Sequence, residues 1–228
     1  MTVSDRLPRE SARDYAMRML RSNIVSLQLA PGSKINDQEI AAELGLSRTP
    51  VREALIELSK SSIIHMYPQK GSFVAPLDYT LMQEAYFMRE TLECGVVERC
   101  CAISDSSVFE PLWEILALQQ FYLDNRNPAK LMELDNAFHK KLFEVVGFPH
   151  VHTILSSLTI HFDRIRSLSY QSVQNVKSVS AHREILTAIQ ERNTSLAVKH
   201  MKEHLGYFYF EQEELMAKFP QYFSSTFE

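Results

Sequence analysis

The sequence predicts a mainly α protein: an N-terminal winged helix-turn-helix followed by an antiparallel bundle of six helices. Three observations predict it. Six glycines and nine prolines in 228 residues are too few turn-formers for a loop-rich all-β or disordered chain. Apolar residues recur at helical spacing along most of the length. The stretch that departs from this pattern, around Ile63–Tyr67 and Ser72–Ala75, is two short extended pieces joined through Pro68-Gln69-Lys70-Gly71, which is hairpin-like.

Composition sets the outer bounds. Hydrophobic residues make up 45% and charged residues 23%, ordinary values for a chain able to bury a core. No apolar run approaches the length of a membrane span, and the polar stretch from Met1 to Glu10 does not read as a secretory signal. Cys94, Cys100 and Cys101 cannot pair evenly and lack metal-type spacing, so a cytoplasmic location is expected. The net charge is −4, but it is unevenly distributed: residues 1–76 hold 10 Lys/Arg and 8 Asp/Glu, the remainder 14 and 20. A mildly basic head before an acidic body is compatible with DNA binding at the head.

The head is expected over residues 8–76. Its first helix runs from about Arg9 to Leu27, with Tyr15, Met19 and Ile24 on one face, and stops before Ala30-Pro31-Gly32. Asp37 is a suitable N-cap for a short helix carrying Ile40, Ala41 and Leu44, which Gly45 ends. Ser47 or Thr49 caps the next helix, with Pro50 in its first turn and Val51, Ala54, Leu55 and Leu58 on its apolar face. Helix, tight turn, helix is the arrangement in which the second helix enters the DNA major groove. Arg48 and Arg52, four apart, share a face, and an arginine fork suits both phosphates and guanine edges. Ser47 and Thr49 can donate to phosphates at the helix N-terminus. Lys70 and Gly71 form a wing tip able to approach the DNA backbone or minor groove. Solvated surface arginines are the bland alternative, and periodicity alone favours it.

The wording of the segment changes that balance. Leu29-Ala30-Pro31-Gly32, the run from Ile40 to Leu55 (Ile-Ala-Ala-Glu-Leu-Gly-Leu-Ser-Arg-Thr-Pro-Val-Arg-Glu-Ala-Leu) and the wing from Pro68 to Val74 resemble the winged helix of the GntR family of bacterial repressors. The resemblance implies a homodimer on a palindromic double-stranded DNA operator, with Arg48, Thr49, Arg52 and Gly71 near the DNA. The chain departs from the family at Ser61-Ser62, where an acidic residue and a glycine are usual. The end of the recognition helix therefore lacks its usual glycine.

Residues 77–79 read as a linker, and residues 80–218 as the helical body. Six helices are expected, at about 79–101, 105–124, 128–146, 149–170, 174–192 and 194–217, with short connections that imply antiparallel neighbours. Leu81, Ala85, Met88, Leu92 and Val96 form the expected core stripe of the first.

Four residues of the body suit a metal. Asp135 and His139 are four apart, which puts a carboxylate and an imidazole on one helical face. His182 and His204, on later helices, would complete a set suited to a borderline divalent ion such as zinc or nickel. The chain has 8 histidines, and His200 makes another pair with His204, so spacing alone leaves the choice open.

The order Asp135…His139, then Ala181-His182-Arg183-Glu184-Ile185-Leu186, then Met201…His204-Leu205 resembles the all-helical FCD domain, the FadR C-terminal effector domain. The resemblance implies Asp135, His139, His182 and His204 as metal ligands. It also implies Arg89, in Met88-Arg89-Glu90-Thr91-Leu92-Glu93, as the cavity arginine that meets an effector carboxylate. A surface salt bridge to Glu93 is the alternative for Arg89. Six helices rather than seven resemble the shorter, VanR-like form of the domain.

The expected function is a ligand-responsive repressor. A small organic or sugar acid would enter the bundle and complete the coordination of the metal, with Arg89, Arg164 and Arg166 neutralising its charge. Helix shifts would then alter the spacing of the two DNA-binding heads. Two alternatives carry different chemistry: a regulator for which the ion itself is the signal, and a metal-dependent hydrolase. The hydrolase lacks a His-Glu-x-x-His motif or a paired carboxylate to act as general base, so no enzymatic activity is expected.

Overall fold

A computed structural model of the chain describes residues 1–172, 177–210 and 212–223. It separates into two compact units, one of Met1–Tyr79 with the chain from Glu214 onward, the other of Thr80–Glu213. Both are built mainly of helices, with one small sheet.

The first unit begins with α1 (Ala12–Val25), whose N-cap Ser11 accepts from the Asp14 N–H. The helix ends two residues earlier than expected, because Leu27 turns left-handed (φ 63°) ahead of the Pro31-Gly32 turn. β1 (Lys34–Ile35) follows, then α2 (Asp37–Glu43). Asn36, not Asp37, caps α2: its side chain accepts from the Gln38 and Glu39 N–H groups, and Asp37 is the first helical residue. Gly45 (φ 64°) closes α2, with its N–H on Ala42 O and the Leu46 N–H on Ala41 O, the paired bonds of a Schellman ending. α3 (Arg48–Lys60) has Ser47 at its N-cap position.

The end of α3 answers the departure noted at Ser61-Ser62. Ser62 adopts φ 55°, the left-handed geometry that glycine adopts without strain. Its N–H reaches Ser59 O, and the Ile63 N–H reaches Leu58 O. The helix therefore keeps a Schellman ending with a serine in the glycine position.

β2 (Ile64–Tyr67) and β3 (Gly71–Val74) make the hairpin, and β1 pairs with β3 to give the sheet order β1-β3-β2, antiparallel throughout. The sequence does not predict β1, because two residues carry no measurable period. The core joins Tyr15, Met19, Leu20 and Ile24 of α1 to Val51, Ala54, Leu55 and Leu58 of α3, with Ile63, Ile64 and Val74 beneath. Late in the chain come α11 (Gln212–Lys218) and α12 (Pro220–Phe223). The Leu77 N–H donates to Tyr222 O at 2.8 Å, and the Tyr79 and Phe223 rings stack at 5.2 Å.

The regular elements described in the second unit are all helices. α4 (Tyr79–Cys101) leads through a 3-10 turn at Ser106–Phe109 into α5 (Glu110–Asp124) and α6 (Pro128–Val145). The single helix expected over 149–170 is two, α7 (Pro149–Leu158) and α8 (Ile160–Ser172), broken at Thr159. Neither Gly nor Pro marks that break. α9 (Lys177–Gln190) and α10 (Thr194–Phe210) follow. Part of the connection expected at Gln171–Gln174 lies outside the described residues. So does residue 211, between the two pieces of the last expected helix. Among the described residues, no helix is long and apolar enough to cross a membrane.

The core stripe of α4 differs from expectation. Leu92 is 39% exposed, and the buried face runs through Met82, Ala85, Arg89, Glu93, Val96, Val97 and Cys100. Two charged residues sit mid-stripe because this face looks into a polar site, so apolar periodicity alone misplaces it. Phe138, Leu142, Ile185, Ile189, Met201 and Leu205 complete the apolar core around that site.

Candidate functional site

The head presents one surface suited to DNA. Ser47, Arg48, Thr49 and Arg52 are all exposed along the first turns of α3, and Ser47 makes no cap hydrogen bond with its side chain. Lys70 and Gly71 lie at the exposed hairpin tip. Gly71 has φ 106°, a backbone conformation that side-chain-bearing residues rarely adopt, so the backbone favours glycine here. Arg52 and Gly71 line a common cleft of about 410 Å³ with Asp37, Tyr67 and Gln69, so recognition helix and wing frame one concavity.

Asp37 is the residue that sequence reasoning misread here. As first residue of α2 it places its carboxylate against Arg48 Nη2, at 3.0 and 3.1 Å, and 3.6 Å from Arg52 Nε. One partly buried carboxylate thus holds both arginines on the same side of α3. The Arg side chains remain 56% and 65% exposed, so these pairs stabilise little. Their effect is to orient the forks.

The second unit holds a buried polar cluster. Asp135 and His139 come from α6, His182 from α9 and His204 from α10, and all four are 0–4% exposed. One ligand atom from each lies within 4.8 Å of all the others. Nε2 of His204 is 3.1 Å from Nε2 of both His139 and His182. Asp135 adds Oδ2 at 3.7 Å from His139 Nε2 and Oδ1 at 3.5 Å from His182 Nε2. His65, His152, His161 and His200 are not in the group.

Oxygens from neighbouring helices face Nδ1 of two of the three rings. Gln119 Oε1 lies 3.0 Å from His182 Nδ1, and Glu93 Oε2 lies 2.5 Å from His139 Nδ1. An oxygen facing Nδ1 favours the tautomer with its proton there and its lone pair on Nε2. Phe138 stacks on His182 with centroids 4.1 Å apart, fixing the ring plane. Asp135 is held by the Tyr170 hydroxyl, which donates to Oδ1 at 2.9 Å, and by Arg166 Nη1, 3.0 Å from Oδ2.

Protonation states follow. Burial pushes His182 down to about 3 and His204 well below the ordinary imidazole value, so both are neutral. Burial alone would raise the carboxyls of Asp135 and Glu93. Arg166 and the imidazoles outweigh it at Asp135, and Arg89 and His139 at Glu93, holding both well below the usual range.

This donor set fits a metal ion. With both Nδ1 atoms protonated, the Nε2 atoms of His139 and His182 are acceptors facing an acceptor carboxylate. His204 can supply a proton to only one of them at a time. Metal–nitrogen bonds of about 2.1 Å separate adjacent ligands by about 3.0 Å in an octahedron and about 3.4 Å in a tetrahedron. The observed 3.1 Å separations fall in that range. The structure therefore contains a buried Asp/His₃ group that could hold a metal.

The three arginines differ. Arg89 is buried and pairs with Glu93 Oε1 at 2.6 Å, so the salt bridge considered from the sequence exists, but inside the bundle rather than on its surface. Its guanidinium lies 4.9 Å over the Phe162 ring, and Nη1 is buried without a hydrogen-bond partner. Arg166 spends its donors on protein atoms: Asp135, Asp163, Asn136 Oδ1 and Met132 Sδ. Its contacts make it a support for Asp135. Arg164 is fully buried, and burial lowers its guanidinium to about 9. A cleft of about 220 Å³ lined by Lys177, Glu184, His200, Glu203 and Tyr207 reaches His204. His200 stands there between the carboxylates of Glu184 and Glu203, at 3.5 and 3.6 Å.

A winged helix-turn-helix joined in one chain to a helical unit with a buried polar site defines a DNA-binding transcriptional regulator rather than an enzyme. Residues 13–74 match the bacterial regulatory proteins of the gntR family, and residues 84–207 match the FCD domain. The chain belongs to the GntR family of transcriptional regulators, with an FCD domain of the FadR-like kind. It is 34% identical over 221 residues (95% of this chain, 91% of the relative) to an HTH-type transcriptional regulator in an unstable DNA locus of Streptomyces ambofaciens. It is 28% identical over 207 residues (90% and 91%) to the HTH-type transcriptional repressor RspR of Escherichia coli K12. The fold also matches the solved structure of E. coli McbR/YncC, with a TM-score of 0.76 at 18% identity, covering 93% of this chain and 99% of that one.

Proposed function

We propose that the protein is a cytoplasmic repressor that binds a palindromic operator as a homodimer. In this reading it responds to a small organic or sugar acid at a divalent metal site. The observation that carries the proposal is the buried convergence of Asp135, His139, His182 and His204 in the same bundle as Arg89, whose Nη1 is buried and unpartnered. A bidentate arginine–carboxylate pair would satisfy that donor. Zinc or nickel suits three imidazoles and one carboxylate. When bound, the ion supplies a Lewis-acidic position to which a carboxylate can add. Repression is supported by the name of RspR, similar over 90% of this chain.

At the head, Arg48 and Arg52 read base edges or phosphates. Ser47 and Thr49 donate to phosphates, and Lys70 and Gly71 bring the wing to the adjacent groove or backbone. The test is operator binding by metal-loaded protein across a panel of small acids. One acid is expected to change the affinity at least about five-fold, the low end of ordinary coupling energies. Affinity that stays constant across the panel would sink the acid-sensor reading.

The completeness of the ligand set within the chain itself favours one second reading, in which the ion is the signal. Stripping the ion with a chelator separates the two: an ion sensor loses or gains operator affinity without any acid present.

A further inference from the structure

We propose that Glu93 is a positioning residue that couples the metal-holding end of the site to its carboxylate-reading end. The inference rests on the reading that the bundle binds both. Glu93 lies on the buried face of α4, four residues after Arg89, and is 2% exposed. Its two oxygens are divided. Oε1 accepts from Arg89 Nε at 2.6 Å, and Oε2 lies 2.5 Å from His139 Nδ1, an ion-pair contact outside hydrogen-bond geometry. One carboxylate thus serves as counter-charge to the effector arginine and to a metal ligand at once. Arg89 keeps a buried donor, Nη1, that no protein atom accepts. Phe162 covers its guanidinium face, which shields that charge from water.

The division sets the sign of the coupling. Once His139 gives its Nε2 lone pair to a cation, its ring becomes more positive and its Nδ1–H becomes a stronger donor. Glu93 then shifts its charge toward His139, and Arg89 loses part of its counter-ion. A guanidinium with less internal neutralisation binds an external carboxylate more tightly. Linkage requires the reverse as well: a carboxylate on Arg89 frees Glu93 for His139 and tightens cation binding by the same factor. Glu93 touches neither ligand and acts through two residues that do.

The test uses full-length protein with Zn²⁺ and acetate as probes, read by calorimetric titration. Wild type is expected to bind acetate at least about five-fold more tightly when zinc-loaded than when metal-free. Glu93→Gln keeps the side chain's size and an acceptor but loses the charge. It is expected still to take up zinc, while the ratio of acetate affinities falls well below the wild-type value, to the part that direct coordination supplies. A variant that keeps the wild-type ratio overturns the proposal, because all of the coupling then runs through direct coordination of acetate to zinc. A second readout needs no variant. In wild type, zinc alone should move the Arg89 Nε–H resonance, and acetate alone should move the His139 Nδ1–H resonance. Either resonance standing still overturns the coupling. Metal analysis tells the two failures apart: wild type that takes up no zinc overturns the metal reading along with this one.

Discussion

Asp37 grips Arg48 with both carboxylate oxygens, at 3.0 and 3.1 Å, at the start of α3, the helix proposed to meet DNA. Phosphates therefore have to compete with a carboxylate for this fork, and the same carboxylate sits 3.6 Å from Arg52. Asp37→Asn removes that competitor and the orientation it provides. Affinity for random-sequence duplex should rise a few-fold and the discrimination between operator and random DNA should shrink. Fluorescence anisotropy on both duplexes at fixed salt measures this, and an unchanged ratio refutes it.

Arg52 is the more exposed of the two and lines the cleft that faces the wing. Arg52→Ala should weaken specific operator binding by about 1–3 kcal/mol if the fork reads a base bidentately. Loss of equal size on random duplex would make it a phosphate contact instead.

Ser62 holds the left-handed position that ends α3. Relieving a non-glycine residue of that geometry should outweigh the extra chain entropy of glycine. Ser62→Gly is expected to stabilise the head by about 1 kcal/mol in a denaturant titration. A destabilised variant would mean that the serine hydroxyl contributes more than its backbone costs.

Metal removal should be visible in thermal melts. An ion that binds only the folded bundle adds stability with its concentration, about 4 kcal/mol at a free level a thousand-fold above its Kd. Adding zinc should raise the melting temperature of wild type and a chelator should reverse the gain. His182→Gln should respond to neither. A comparable zinc response in the variant would place the ion elsewhere.

Acid should destabilise the metal-free bundle. Unfolded, His182 takes up a proton below about 6.5; folded, burial holds it neutral until about 3. The unfolded state therefore binds more protons across that window, so stability falls as pH falls through it. Asp135 and Glu93 act in the same direction, because their depressed folded values make them lose stabilisation as pH drops below the ordinary carboxylate range. Melting temperatures at pH 7, 5.5 and 4.5 should decline in order, and a flat series would contradict the buried neutral histidines.

The parts legible in the sequence are those set by local chemistry. The run from Ile40 to Leu55 declares its turn through Gly45 and its exposed face through Arg48 and Arg52, all within one short segment. Asp135 and His139 declare themselves by sitting one turn apart. His182 and His204 have no such local signature. They join the site only when α9 and α10 pack beside α6, which the resemblance implied and spacing could not.

The supports were less visible. Gln119 meets His182 across 63 residues. Glu93 reads from the sequence as an ordinary i+4 salt-bridge partner, and its second contact, His139, lies on another helix. Leu92 misled because apolar spacing assumes that the buried face is apolar. Asp37 misled because an acidic residue at a helix start is equally plausible as a cap or as a counter-ion one position later.

The pairings of Asp135 and Glu93 also determine the charge of the bundle interior. Among the described residues, three guanidiniums (Arg89, Arg164 and Arg166) and two carboxylates (Asp135 and Glu93) are buried there. Counted over these five groups that interior carries +1, inside a chain of net charge −4. A divalent ion on the four ligands would raise it to +3. Excess buried charge of one sign is costly in a medium that cannot solvate it. The interior is thus polarised in advance toward an anion, and a ligand with two negative charges would return it to the value it has when empty.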